Sequence, residues 1–148
     1  MSLNRRSLLK GLAAFAAVAV FPLRLFADMA AAFKATAPQV TLRALFGDTP
    51  IEESDAIKLK IPDIAENGAV VPVTISTDIE GVSSISVVID NNPNPLSASF
   101  TLGDNVFADV ATRVKMGKSS PVRAYVQTAD KIYTTSKEVK VTIGGCGG

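Results

Sequence analysis

From Ile57 onwards the apolar residues of this chain recur with a period of two, and that pattern restricts the fold more than any other feature. Ile57-Lys58-Leu59-Lys60-Ile61 alternates as a half-buried strand does, and Pro62 ends it. Ala65–Ala69 reads as a turn with Asn67-Gly68 at its centre. Val70–Thr77 is the next strand, and its Pro72 argues for an edge position or a bulge. Ser84–Asp90 follows, rich in Val and Ile, and then the Asn/Pro corner Asn91-Asn92-Pro93-Asn94-Pro95. Further strands are expected at Ala98–Leu102, Val106–Val114, Pro121–Thr128, Lys131–Thr135 and Lys137–Ile143, with Asp130-Lys131 as a hairpin corner. About seven short strands with turns at this spacing predict an all-β antiparallel sandwich. Ahead of it, Pro38 opens a helix to Leu45 that Gly47 stops, expected to pack on the edge of the sandwich. Acidic Asp48–Asp55, with Pro50, reads as a loop. The sandwich domain is expected over residues 33–143.

The first residues belong to a different kind of segment. Residues 1–27 hold Arg5, Arg6, Lys10 and Arg24 and no acid, and an apolar run from Gly11 to Phe21 follows the basic start. That run is too short for a spanning helix, which needs about 20 apolar residues, and reads as an export signal. The pair Arg5-Arg6 before Ser7-Leu8-Leu9 fits a twin-arginine signal, with Leu8 where phenylalanine is usual. Residues 1–32 are therefore expected to be a signal peptide, cleaved after Ala27 or Ala32, and the mature protein to be periplasmic. A Sec signal or an uncleaved anchor is the alternative.

What remains after the signal is mildly acidic, because four of the 15 bases lie in residues 1–27 while all 14 acids lie beyond them. Nucleic-acid binding needs a dense basic field and is not expected. The chain has no His and one Cys. It therefore has no catalytic histidine, no intrachain disulfide and no Cys/His metal cage, and neither a metal nor another cofactor is expected.

The end of the chain, Gly144-Gly145-Cys146-Gly147-Gly148, fits no packed element. Glycine costs backbone entropy to order and brings no side chain to bury, so four glycines around one thiol predict a thin mobile arm over residues 144–148. A thiol acts as its thiolate, and the tail supplies no acidifying partner. Activation has to come from another protein, which favours a covalent carrier over an enzyme. Cys146 is the expected attachment point, and no residue is expected to be catalytic. The competing reading is an exported structural or interaction module with an incidental terminal thiol. Arg113, Lys115, Lys118 and Arg123 are candidates to guide anionic cargo or a partner, and as readily a solvated face.

The ending Lys140-Val-Thr-Ile-Gly-Gly-Cys-Gly-Gly148 resembles the C-terminus of the SoxY family, the cysteine-bearing subunit of the SoxYZ carrier of bacterial thiosulfate oxidation. The resemblance continues in Pro62–Pro72, Asn92–Pro95 and Thr112–Met116 and covers most of the mature chain. It implies an Ig-like sandwich paired with a SoxZ-like subunit, which is expected to cover an apolar face rich in the Val and Ile residues of Val70–Ile89. It also implies that SoxAX joins thiosulfate oxidatively to the cysteine as an S-thiosulfonate and that SoxB hydrolyses off sulfate. In some organisms a sulfane dehydrogenase then oxidises the remaining sulfur. Only Cys146 carries over as a functional residue, with Gly144, Gly145, Gly147 and Gly148 as its arm.

Overall fold

The computed structural model describes residues 29–142. The arginines Arg5 and Arg6, the segment up to residue 28, and the tail with Gly144, Gly145, Cys146, Gly147 and Gly148 lie outside them. Residues 29–34 are helical, and α1 follows at Pro38–Phe46. Pro38 opens α1, where a missing N–H costs nothing, and Gly47 closes it at φ 61° as its amide bonds the Arg43 carbonyl.

Nine strands follow among the described residues: β1 (Ile51–Glu53), β2 (Ile57–Lys60), β3 (Ile64–Ala65), β4 (Val71–Thr77), β5 (Ser84–Ile89), β6 (Leu96–Thr101), β7 (Asp109–Val114), β8 (Ser120–Gln127) and β9 (Ile132–Val141). They form two sheets. The larger runs β1-β9-β8-β5-β6, with β3 also on β9, and the smaller runs β2-β4-β7. The alternation read from the sequence sets the layers. Val71, Val73 and Ile75 of β4 face Ile85, Val87 and Ile89 of β5 and Val122, Ala124 and Val126 of β8 across one core. Burying each of these valines and isoleucines is worth about 1.5–3 kcal/mol before entropy is counted.

A second apolar cluster lies on the outer face of the larger sheet. Val88, Leu96, Tyr125 and Ile132 are covered there by Phe46 of α1 and by Ala32, with Met29 against them. The Phe46 and Tyr125 rings sit 5.6 Å apart. The helix thus packs on a sheet face, not on the sandwich edge. This cover also accounts for the apolar run through Ile89, where Ile85 to Ile89 are all buried. Within the Val/Ile-rich stretch β5 is buried on both sides by the chain itself, so Ile85–Ile89 offer no vacant apolar face, whereas β4 buries only one side and Val70 is exposed.

Several elements differ from the sequence reading. The acidic loop Asp48–Asp55 contains β1, whose Ile51–Glu53 pairs in parallel with Ile132–Thr134. Three exposed residues leave no hydrophobic pattern to read. The two expected strands Lys131–Thr135 and Lys137–Ile143 are one strand, β9, because Ser136 continues the ladder opposite Arg123. The strand expected at Val106–Val114 begins only at Asp109, leaving Val106 58% and Phe107 91% exposed in the preceding loop. β4 is the central strand of its sheet, yet Pro72 lies where β7 is its neighbour and the β2 ladder, which begins at Thr74, has not started. The missing N–H interrupts no pairing with β2.

Candidate functional site

The tail leaves the sandwich from β9, so the end of that strand is where any chemistry at Cys146 is positioned. β9 is held on two sides there. Val139 pairs with Ser120 of β8, while Lys140 and Val141 pair with Ile64 and Ala65 of β3. The Lys140 amide donates to the Asp63 carbonyl at 2.9 Å, the Val141 amide to Ser119 Oγ at 2.9 Å, and the Thr142 amide to the Ala65 carbonyl at 3.1 Å. The strand is anchored up to Thr142. Four further residues bring the chain to Cys146, which confines its Cα to within about 14 Å of that anchor and its sulfur to within about 17 Å.

Two motifs singled out in the sequence meet at this end. The Asn91-Asn92 corner fixes the β7–β8 loop: Asn92 Nδ2 donates to the Lys115 carbonyl at 2.7 Å, Asn92 Oδ1 accepts from the Gly117 amide, and Asn91 Nδ2 donates to the Ser119 carbonyl. The Asn67-Gly68 turn braces the same loop from the other side, where the Met116 amide donates to the Gly68 carbonyl at 2.7 Å. Asn67 Oδ1 accepts from the Ala69 amide and closes the turn locally. A Cβ on Gly68 would lie 2.4 Å from the Met116 carbonyl oxygen and 2.9 Å from Val141 Cγ1. Glycine is required there by close approach, and the turn joins the two sheets instead of closing a hairpin.

Of the four candidate bases, Arg113, Lys115 and Lys118 are exposed at this end of the fold, and none makes an ion pair among the described residues. Arg123 is different. Its Nε donates to Asp90 Oδ2 at 2.9 Å, and that bond holds the guanidinium pKa above its ordinary value against the opposing effect of burial. It is therefore committed to the fold. Lys140 belongs with the first three and was not singled out from the sequence; its signal is the alternation of β9, which puts it outward beside buried Val139. Tyr125, near Arg123, has its pKa raised chiefly by burial. No group of three or more His, Cys, Asp or Glu side chains with metal-binding geometry occurs among the described residues.

The fold and tail can be set beside known proteins. Residues 42–146 match the family described as sulfur oxidation protein SoxY, a match that ends on Cys146. The structure is similar to that of the sulfur carrier protein SoxY from Chlorobium limicola f thiosulfatophilum, at 43% identity and a TM-score of 0.65, over 71% of this chain and 96% of that one. A superoxide reductase (neelaredoxin) from Ignicoccus hospitalis shares the fold alone, at 15% identity and a TM-score of 0.55, over 62% of this chain and 94% of that one. Among curated protein sequences, none matches. A sandwich that ends in an anchored strand, and a family match running from α1 through the whole sandwich to the only cysteine, lead to one conclusion: this chain belongs to the SoxY family of sulfur oxidation proteins.

Proposed function

We propose that this protein is a periplasmic sulfur carrier of thiosulfate oxidation, holding its cargo covalently on Cys146 and presenting it to partner enzymes. The observation that carries the reading is the family match, which extends past the last strand to the chain's one thiol. The similar Chlorobium protein is a sulfur carrier. The absence of His from the sequence leaves no imidazole base beside the thiol, so the chemistry belongs to partners and the chain itself is not an enzyme.

In this reading the thiol loses a proton and, with thiosulfate, two electrons to the loading enzyme, SoxAX in the family. An S–S bond forms, and the product is a cysteine S-thiosulfonate. Water then attacks the terminal sulfonate sulfur under SoxB, sulfate departs, and a persulfide remains on Cys146 for the next enzyme. A SoxZ-like subunit is the stable partner. Gly144, Gly145, Gly147 and Gly148 keep the tail narrow enough to enter an active-site channel. The twin-arginine signal, through Arg5 and Arg6, delivers the protein to the periplasm.

The test is Cys146→Ser in a reconstituted thiosulfate-oxidising system. The variant keeps the wild-type circular dichroism and melting curve and loses thiosulfate-dependent turnover. Wild-type turnover by the serine variant would reject the carrier reading in favour of an interaction module with an incidental thiol.

A further inference from the structure

The ionic side chains are sorted along the length of the sandwich. At the end remote from the tail lie the β4–β5, β6–β7 and β8–β9 loops and the turn before β2. Setting aside the Lys58–Asp78 and Lys131–Glu52 pairs, the charges there are Asp55, Glu80, Asp104, Asp109 and Asp130, all acidic. At the tail end, with the Arg123–Asp90 and Lys137–Asp63 pairs set aside, Arg113, Lys115, Lys118 and Lys140 face Glu66 and Glu138. Among the described residues, unpaired bases outnumber unpaired acids four to two where the chain leaves the fold, against none to five at the far end. Two of these bases, Lys115 and Lys118, ride on the β7–β8 loop, which Asn91, Asn92 and Gly68 fix in place. Their loop is tied to β9 itself by the bond from the Val141 amide to Ser119 Oγ.

We propose that Arg113, Lys115, Lys118 and Lys140 form a fixed basic collar at the root of the tail, which concentrates small dianionic sulfur oxyanions such as thiosulfate around Cys146. The inference rests on the carrier reading and adds the charge class that the site selects. The collar is a field, not a pocket, because its side chains are exposed and stand on separate elements. Its reach depends on salt. The Cys146 sulfur can lie up to about 17 Å from Thr142 by chain length, so the field acts along the whole arm at 0.01 M, where the screening length is about 30 Å, and only on its nearer positions at physiological ionic strength, where it is about 8–10 Å. An incoming dianion feels twice the attraction of a monoanion, while the acidic far end repels it.

The experiment needs no partner enzyme. The reduced protein reacts with a dianionic aromatic disulfide (dithiobis-nitrobenzoate) and with neutral dithiodipyridine. A blocked peptide of sequence Ile-Gly-Gly-Cys-Gly-Gly is the reference. The ratio of the two rates cancels differences in thiolate fraction. At about 10 mM ionic strength the protein's ratio exceeds the peptide's by about threefold to fivefold, and the excess disappears above about 0.5 M salt. Lys115→Glu with Lys118→Glu brings the ratio to or below the peptide's. Lys140→Glu lowers it partly, and Glu80→Lys at the far end leaves it within experimental error. Equal ratios for protein and peptide at low salt, or an excess that survives the double reversal, would overturn the collar. Either result would leave the carrier reading to the turnover of Cys146→Ser.

Discussion

Two residues show how much depends on single side chains near the tail. Gly68 leaves no room for a methyl group between the Met116 carbonyl and the partly buried Val141 side chain. Gly68→Ala is expected to lower stability by about 1–3 kcal/mol, as overpacking does, and a urea titration checks it. An unchanged midpoint would mean that the β7–β8 loop moves freely, and the collar would lose its fixed support. Arg123 is the second. Asp90 Oδ1 is buried with no hydrogen-bond partner among the described residues, so Arg123 is that carboxylate's one ion-pair partner there. Arg123→Ala is expected to cost about 1–3 kcal/mol by leaving the charge partly buried, and Asp90→Asn with Arg123→Ala to recover part of it. From sequence alone Arg123 looked like Arg113, Lys115 and Lys118. Only the register of β8 against β5, which sets Val122 opposite Ile89, brings Asp90 to it.

At the scale of elements, the sequence was most legible where one face of a strand is buried. β2 and β4 declare themselves through alternation, and the Pro38 and Gly47 signals bracket α1 closely. β1 was illegible because none of its side chains is buried. The break expected between Thr135 and Lys137 falls at Ser136, an exposed position that continues the β9 ladder opposite Arg123. The Asn/Pro corner and the Asn-Gly turn were legible as turns, but their bracing of the β7–β8 loop depends on contacts distant in sequence. The helical residues 29–34 bear on processing. Ala32 is fully buried, and Met29 packs in the same cluster. Cleavage after Ala27 would preserve that packing, and cleavage after Ala32 would remove it. A chain starting at Asp28 is expected to be at least about 1 kcal/mol more stable than one starting at Phe33, and the exported protein to begin at Asp28. Comparative melts and N-terminal sequencing check both; equal stability would show the added helix to be dispensable. For the tail, Gly144→Val with Gly145→Val is expected to leave alkylation by a small maleimide unchanged while slowing enzymatic loading with thiosulfate. A parallel fall in both rates would mean that the glycines tune the thiol and not the fit to a channel.

At the scale of the whole molecule, the sandwich provides an inert body, a strand anchored at its last residue, and a charge distribution with its basic end at the tail. This division of labour follows from the sequence: a chain with one thiol and no histidine can hold a cargo more readily than transform it. The alternating strands made the body readable, and the lone cysteine among glycines carries the proposed working end. The collar was not, because it assembles from β7, the loop after it and β9, and only the fold brings them to one end. The most direct measurement is the intact mass of the protein recovered from cells supplied with thiosulfate, beside its Cys146→Ser variant. The account predicts sulfur-bearing adducts on the wild-type protein, mapped to Cys146 and absent from the variant. A wild-type protein that stays unmodified under those conditions, or adducts that persist in the serine variant, would contradict it.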